Sequence, residues 1–272
     1  MDIQASSKTI CIIGGSGFYD FLQEPSEISI DTPFDSKPVT VYHQQKEGRE
    51  LYFLPRHGTK HSIPPHRINF KANFFALHTL GISRVVATSA VGSLISSIQP
   101  GDYVILDQFI DFVRPLTFFD GDFSIEFPTG MTVSGVVHLD MTEPYCPEIR
   151  NSVLHILKED PHTHATGTYG TTSGPRFETP AEIKVLQLMG AHVVGMTNSS
   201  EAILARELGI CYGVIAVVTN MAAGLQKQVS HNEVLEIFNE RAAHLKRIFN
   251  EIISHLPEKR NCSCSWYPKE ET

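Results

Sequence analysis

The run from Tyr212 to Val218 is apolar and β-branched, and it reads as the central strand of a sheet. Other short apolar runs recur along the chain, at Thr9–Ile13, Glu50–Leu54, Val85–Thr88, Tyr103–Leu106 and His192–Met196, with a β-like run at Thr166–Thr172. Val39–Tyr42 reads as part of a hairpin. Amphipathic stretches stand between the later runs. Asn69–Leu80 is helical and ends at Gly81. A helix opens near Pro144–Pro147 and runs to about Leu157, and others cover Pro180–Met189 and Thr197–Leu208. His231–His255 is a long outer helix with apolar positions at Val234, Leu235, Phe238, Leu245, Phe249 and Ile252. This alternation predicts an α/β fold, a single domain whose central mixed, mainly parallel β-sheet is flanked by helices. No Gly-, Ser- or Pro-rich linker divides it. Residues 1–256 read as the domain and 257–272 as a polar tail that Trp266 tacks down.

Charge narrows the partners. The 272 residues carry a formal net charge of -8, and the basic clusters are as short as Arg56-His57 and Lys259-Arg260, which excludes a nucleic-acid surface. A local anion site is still compatible with that charge. No stretch of 18 apolar residues occurs, so no membrane span is expected. The N-terminus lacks a basic segment followed by an apolar one, so no signal peptide is expected and the protein is placed in the cytoplasm.

Metal is not expected from spacing. His57, His61 and His66 lie close together, but Pro64 and Pro65 prevent one helix from presenting all three, and no nearby carboxylate completes a set. Cys11 and Cys211 read as small buried hydrophobes in core strands. Cys262-Ser-Cys264 sits in the polar tail with no His or second Cys pair at zinc-site spacing.

Chemistry-bearing residues gather at predicted strand ends, where open α/β sheets bind ligands. Gly14-Gly-Ser-Gly17 follows the first strand and offers backbone N–H groups and the Ser16 hydroxyl to an anion; a plain tight turn accounts for it equally well. It is neither a dinucleotide fingerprint nor a P-loop. Arg56, in Pro55-Arg-His-Gly58, offers a planar fork of donors to an oxyanion. Ser89-Ala-Val-Gly92 reads as small residues beyond a strand, letting a ligand approach the backbone. The loop from 107 to 137 is rich in Phe and either covers a site, packs on another subunit, or forms an internal loop core. His162 and His164 read as solvated. In Gly174-Pro-Arg-Phe-Glu-Thr179, Phe177 beside Glu178 offers an apolar face and a hydrogen-bonding carboxylate, as a flat heterocycle requires. A buried Phe and a dipole-stabilised Glu is the competing reading. Thr197–Glu201 caps a helix, Ser and Thr at such an N-terminus also suit an anion, and Thr219-Asn220 ends the central strand.

These residues resemble a known pattern. Ile12-Ile-Gly-Gly-Ser-Gly17, Pro55–Gly58, Ala90-Val-Gly-Ser93, Gly101-Asp102, Glu143–Pro147, Gly174–Glu178, Gly195-Met-Thr197 and Glu201–Ala205 occur in the order and spacing of the trimeric purine nucleoside phosphorylase and 5'-methylthioadenosine phosphorylase family. The resemblance runs from about Ile12 to Ile253. It implies phosphorolysis of a purine nucleoside to base and ribose 1-phosphate, with inorganic phosphate as co-substrate, no cofactor and no metal, in a homotrimer. It places Ser16, Arg56, His57, Ser89, Ala90 and Thr197 around phosphate. Met196 falls against the ribose and Phe177 against the base. His61 falls toward the sugar and phosphate, and His138 near the 5' substituent across a subunit boundary.

Glu178 and Asn220 match the 6-oxopurine branch. A carboxylate accepts from N1–H of hypoxanthine or guanine, whereas N1 of adenine is itself an acceptor. Asn220 can donate to O6 or N7. With His57, which the resemblance places at phosphate, Glu178 and Asn220 form the catalytic group that the resemblance implies. His231 aligns with a histidine used toward the 5'-hydroxyl, its alternative being a solvent-facing helix start. Arg56–His61 and Asp107–Asp111 look more like the methylthioadenosine branch. Inosine and guanosine are the expected substrates, with methylthioinosine or methylthioadenosine the alternative and a nucleoside-binding module the non-enzyme alternative.

Overall fold

In the computed structural model, residues 9–15, 18, 21–59, 62–113 and 116–266 are described. Four strands open the chain: β1 (Thr9–Gly14), β2 (Ser26–Ile30), β3 (Val39–Lys46) and β4 (Arg49–Pro55). Helix α1 (Phe70–Thr79) precedes β5 (Arg84–Ser93), β6 (Tyr103–Ile105), β7 (Gln108–Ile110), β8 (Ser124–Glu126) and β9 (Thr132–Ser134). Then come α2 (Pro147–Ile156), β10 (Thr163–His164), β11 (Thr168–Thr171), α3 (Pro180–Leu188) and β12 (Val193–Gly195). The chain closes with α4 (Asn198–Glu207), β13 (Cys211–Met221) and α5 (His231–His255).

Local chemistry sets these boundaries. The Asn69 side chain caps α1 by accepting from the Ala72 N–H, and Gly81 takes the positive φ (68°) that lets the chain leave the helix. Thr179 and Glu182 form a reciprocal capping box at α3, with Pro180 in the first turn. Ser230 caps α5 by accepting from the Glu233 N–H.

Eleven strands form one mixed sheet, ordered β10-β6-β13-β5-β1-β4-β3-β2, with β12 joined to β5, β11 to β12 and β7 to β11. The central ladders are parallel: β13 on β5, β5 on β1, and β1 on β4. Antiparallel pairings appear toward the margins, at β2–β3, β3–β4 and β13–β6. Both faces are covered. Ile10 and Ile12 of β1 point into a layer with Ile149 of α2 and Phe249 of α5, while Cys11 and Ile13 point oppositely, toward Phe74 of α1 and Leu204 of α4. A strand buried on both sides needs the unbroken apolar run seen at Tyr212–Val218.

One irregularity positions the site. On one side β5 pairs with β1 through Arg84–Ala87, and then with antiparallel β12 through Gly92 and Ser93. Thr88–Val91 therefore have a sheet neighbour on the β13 side only. The split in the sheet lies between the end of β1 and the arrival of β12.

Several expectations need correction. Ser89–Gly92 do not follow a strand; they lie within β5, because the ladder to β13 continues to Ser93. The Phe-rich segment is largely an internal core: Phe118, Phe119 and Phe127 are buried, and Phe34 meets Phe75, Phe118 and Phe123 edge-on. Phe112 differs, at 83% exposed. His162 and His164 are not merely solvated; both ring nitrogens meet the Asp102 carboxylate, at 3.0 and 2.8 Å. The expectation for Trp266 needs no correction: its ring packs on Phe119 and Phe127 and its Nε1 donates to the Glu207 carbonyl, tacking the C-terminal segment down. No helix of the described residues is long and apolar enough to cross a membrane.

Candidate active site

A cavity of about 530 Å³ opens at the split in the sheet. Its floor is Thr88–Gly92 of β5, and the ends of β12 and β13 form its sides. Gly15 and Arg56-His57, just past the ends of β1 and β4, and the first turns of α5 complete the lining.

Arg56 is held rather than loose. Its Nε and Nη2 both donate to the Glu201 carboxylate of α4, the second at 2.9 Å. Tyr212 Oη donates to the same carboxylate at 2.6 Å. The Arg56 and Glu201 side chains are 3% and 2% exposed. Burial opposes the guanidinium charge, but Glu201 outweighs it and holds the group above its usual pKa. With Nε and Nη2 occupied, Nη1 remains on the Gly15 side, where a Cβ on Gly15 would lie 3.9 Å from it. His57 directs Nδ1 to the Ile63 carbonyl at 2.8 Å, which fixes the ring.

The start of α4 supplies the next wall. Thr197 is the N-cap residue, yet its side chain makes no capping hydrogen bond, contrary to the sequence expectation of a side-chain cap. Tyr169 Oη accepts from the Thr197 and Asn198 N–H groups instead, at 3.1 and 3.4 Å. Burial pushes the Tyr169 phenol up to about 12, so it stays neutral. Gly195 is required here, because a Cβ would lie 2.3 Å from Tyr169 Oη. The Thr197 hydroxyl is left at a helix N-terminus, where the dipole favours an anion.

The same cavity is lined by the ring-binding candidates. Phe177 is 36% exposed and Glu178 is 9% exposed. Glu178 Oε1 accepts from Thr172 Oγ1 at 2.6 Å; among the described residues Oε2 makes no hydrogen bond. Asn220 reaches the cavity because β13 bulges between Val218 and Asn220, an extra residue that re-aims the strand end. Its Oδ1 accepts from Thr219 Oγ1 and its Nδ2 donates to the Met221 carbonyl, each at 2.9 Å, so one amide hydrogen remains for a ligand. Gly174, at φ 61°, leaves room for Met196; a Cβ there would lie 2.4 Å from its Sδ.

Ten of the sequence-derived candidates thus line one cavity. Arg56, His57, Ser89, Ala90 and Thr197, expected around phosphate, are among them. Phe177, Glu178, Met196, Asn220 and His231 complete it. His138 is exposed and does not line it. Ser16 and His61 lie outside the described residues. Sequence reasoning placed Glu201 only in a helix-capping stretch and a family motif, and Tyr169, Tyr212 and Thr219 only in strands; their contacts, Glu201 with Arg56 and Tyr212, Tyr169 with Thr197 and Thr219 with Asn220, join separate elements or depend on the strand bulge. It also read Val234, Leu235 and Phe238 only as packing positions, whereas they line the cavity beside His231.

The family model described as the Phosphorylase superfamily matches residues 9–254. The chain is 48% identical over 267 residues to a probable 6-oxopurine nucleoside phosphorylase of Dictyoglomus turgidum, covering 96% of this chain and 97% of that protein. It is 41% identical over 259 residues to the S-methyl-5'-thioadenosine phosphorylase of Nitrosopumilus maritimus, covering 94% and 95% of the two chains. Among solved structures, methylthioadenosine phosphorylase from Schistosoma mansoni in complex with adenine superposes with a TM-score of 0.82 at 32% identity, covering 93% of each chain.

Proposed function

Because the chain belongs to the phosphorylase superfamily and is an enzyme of the purine nucleoside or methylthioadenosine phosphorylase type, we propose that its cavity cleaves 6-oxopurine nucleosides with inorganic phosphate. The observation that carries this reading is Glu178: a buried carboxylate with one oxygen held by Thr172, beside the Phe177 ring and sharing a cavity with the Asn220 amide. Such a pair accepts from N1–H and donates to O6 or N7.

The chemistry follows from this arrangement. A phosphate oxygen attacks C1', the C1'–N9 bond breaks, and its electron pair leaves with the purine. Positive charge develops on the ribosyl group and negative charge on the base. Phosphate beneath C1', held by Arg56 Nη1, His57, Ser89, the backbone at Ala90 and Thr197, stabilises the first; Asn220 stabilises the second. Met196 packs on the sugar. The chain needs no covalent nucleophile, because positioning and charge matching lower the barrier.

A second reading rests on the wall of α5. Val234, Leu235 and Phe238 are apolar and suit a 5'-methylthio group, whereas His231 suits a 5'-hydroxyl. Relatives on both branches support both readings. Initial rates with inosine, guanosine, adenosine, methylthioinosine and methylthioadenosine, with and without phosphate, test them. Phosphate-dependent release of hypoxanthine and guanine with little adenine is expected, and His231→Ala should penalise inosine more than methylthioinosine. Faster release from both methylthio substrates would overturn the 5'-hydroxyl reading, and preferential release of adenine would overturn the role of Glu178.

Association into a homotrimer belongs to the same proposal. Phe112, Val185 and Leu188 are 83%, 55% and 79% exposed, and Phe112 and Val185 line a second hollow that shares Glu178 with the cavity. An apolar patch touching the site suits a neighbouring copy, which would also give His138 a route to the 5' substituent. Light scattering showing a monomer at micromolar concentration would refute it.

A further inference from the structure

We propose that Cys146, Cys211, Cys262 and Cys264 bind one zinc ion that fastens the C-terminal segment to the sheet. Their four sulfur atoms lie within 4.8 Å of one another, and all four side chains are buried. Cys211 Sγ and Cys262 Sγ are 3.3 Å apart. A tetrahedral site with Zn–S bonds of about 2.3 Å places its sulfurs about 3.8 Å apart, so small side-chain adjustments suffice. Four soft thiolates with no oxygen or imidazole among them select a zinc-class ion.

The backbone brings the ligands together before any ion binds. Cys211 begins β13, and its N–H donates to the Ser83 carbonyl. The Cys146 N–H donates to the carbonyl of Tyr212, the next residue. Cys262 and Cys264 arrive on a segment held from both sides. The Asn261 N–H donates to Glu148 Oε1 at 2.6 Å, and Arg206 Nη1 to the Ser263 carbonyl at 3.4 Å. The four sulfurs therefore come from a strand, a helix start and one tight chelate of two cysteines a single residue apart.

Charge is also provided for. A zinc ion with four thiolates carries two net negative charges, and binding releases the thiol protons to solvent. Cys146 is the N-cap residue of α2 and makes no capping hydrogen bond with its side chain, so its thiolate lies at the positive end of that helix. Arg260 Nη1 lies 3.9 Å from Cys211 Sγ while also donating to the Gly209 carbonyl. It serves as an outer partner to the sulfur. Cys11, equally buried, lies outside the group. The cluster sits at the start of β13, at the opposite end of the strand from Asn220.

The test uses the full chain, isolated anaerobically and reconstituted with zinc. Metal content by mass spectrometry should be one zinc per chain, and thiol titration after denaturation should find all five cysteines reduced. Cobalt in place of zinc should give the absorption of a tetrahedral thiolate site. Cys264→Ser removes a direct ligand and should weaken zinc binding by more than the roughly 100-fold that loss of an outer partner costs, abolish the four-thiolate cobalt signature and keep phosphorolysis. Chelation should lower the Tm of the parent by more than that of this variant. Failure of the parent to retain zinc would overturn the proposal, as would a mass lower by four hydrogens that marks two disulfides. Zinc held equally by Cys264→Ser would overturn it too.

Discussion

Replacing Glu201 by Gln removes one charge while preserving shape, and it tests how the proposed phosphate site is built. Glu201 accepts both Arg56 donors and the Tyr212 hydroxyl, with 2% of its side chain exposed. The variant leaves a guanidinium, itself 3% exposed, without its counter-charge. It also aims an amide N–H₂ at a group that has only donors. Breaking a buried pair from one side costs about 3–5 kcal/mol. At about 2 °C per kcal/mol for a chain of this length, the Tm should fall by about 6–10 °C. Phosphate then becomes the available counter-charge, so the rise in Tm on adding phosphate should be larger in the variant than in the parent. Thermal scans with and without phosphate, alongside urea unfolding, read both effects. A variant melting within about 2 °C of the parent would refute the buried-pair argument. An unchanged phosphate increment would refute the placement of Arg56 Nη1 at the anion.

Glu178→Gln should lower kcat/KM for inosine by orders of magnitude, because the acceptor for N1–H is weakened and an N–H is introduced; unchanged steady-state kinetics would remove Glu178 from the base site. Glu182 titrates at about 2, chiefly because Arg176 donates to it, with the Thr179 N–H adding to the effect. A depressed folded-state value means that its contribution to the α3 cap is complete above about 4.5 and fades as pH falls toward 2. Carboxyl NMR titration of Arg176→Ala should show this midpoint moving up toward 4.5, and an unmoved midpoint would assign the shift to the cap alone.

Much of this was legible in the chain. The runs at Thr9–Ile13 and Tyr212–Val218 read as strands because burial on both faces leaves no room for polar alternation. His231–His255 read as a helix because its apolar positions keep one face for more than six turns. Arg56, Thr197, Glu178 and Asn220 could be nominated because each ends or follows a strand or opens a helix. What escaped was set by pairing between distant segments. Nothing local at Glu201 announces that Arg56 and Tyr212 converge on it, and the bulge at Thr219 exists only relative to β5. The cysteines were unreadable as a group because Cys146, Cys211 and Cys262 are far apart in the chain and meet through the register of β13 and the fold-back of the C-terminal segment.

The strand from Cys211 to Met221 is paired on both sides over part of its length and buried almost throughout. Its interior amides, around Ile215–Val217, have no edge from which to open. Their exchange with solvent deuterium should proceed through unfolding of the whole molecule, and so should report global rather than local stability. A nucleoside bound at the Asn220 end would then slow exchange along the paired interior by one common factor, set by ligand concentration over Kd and not by distance from the ligand.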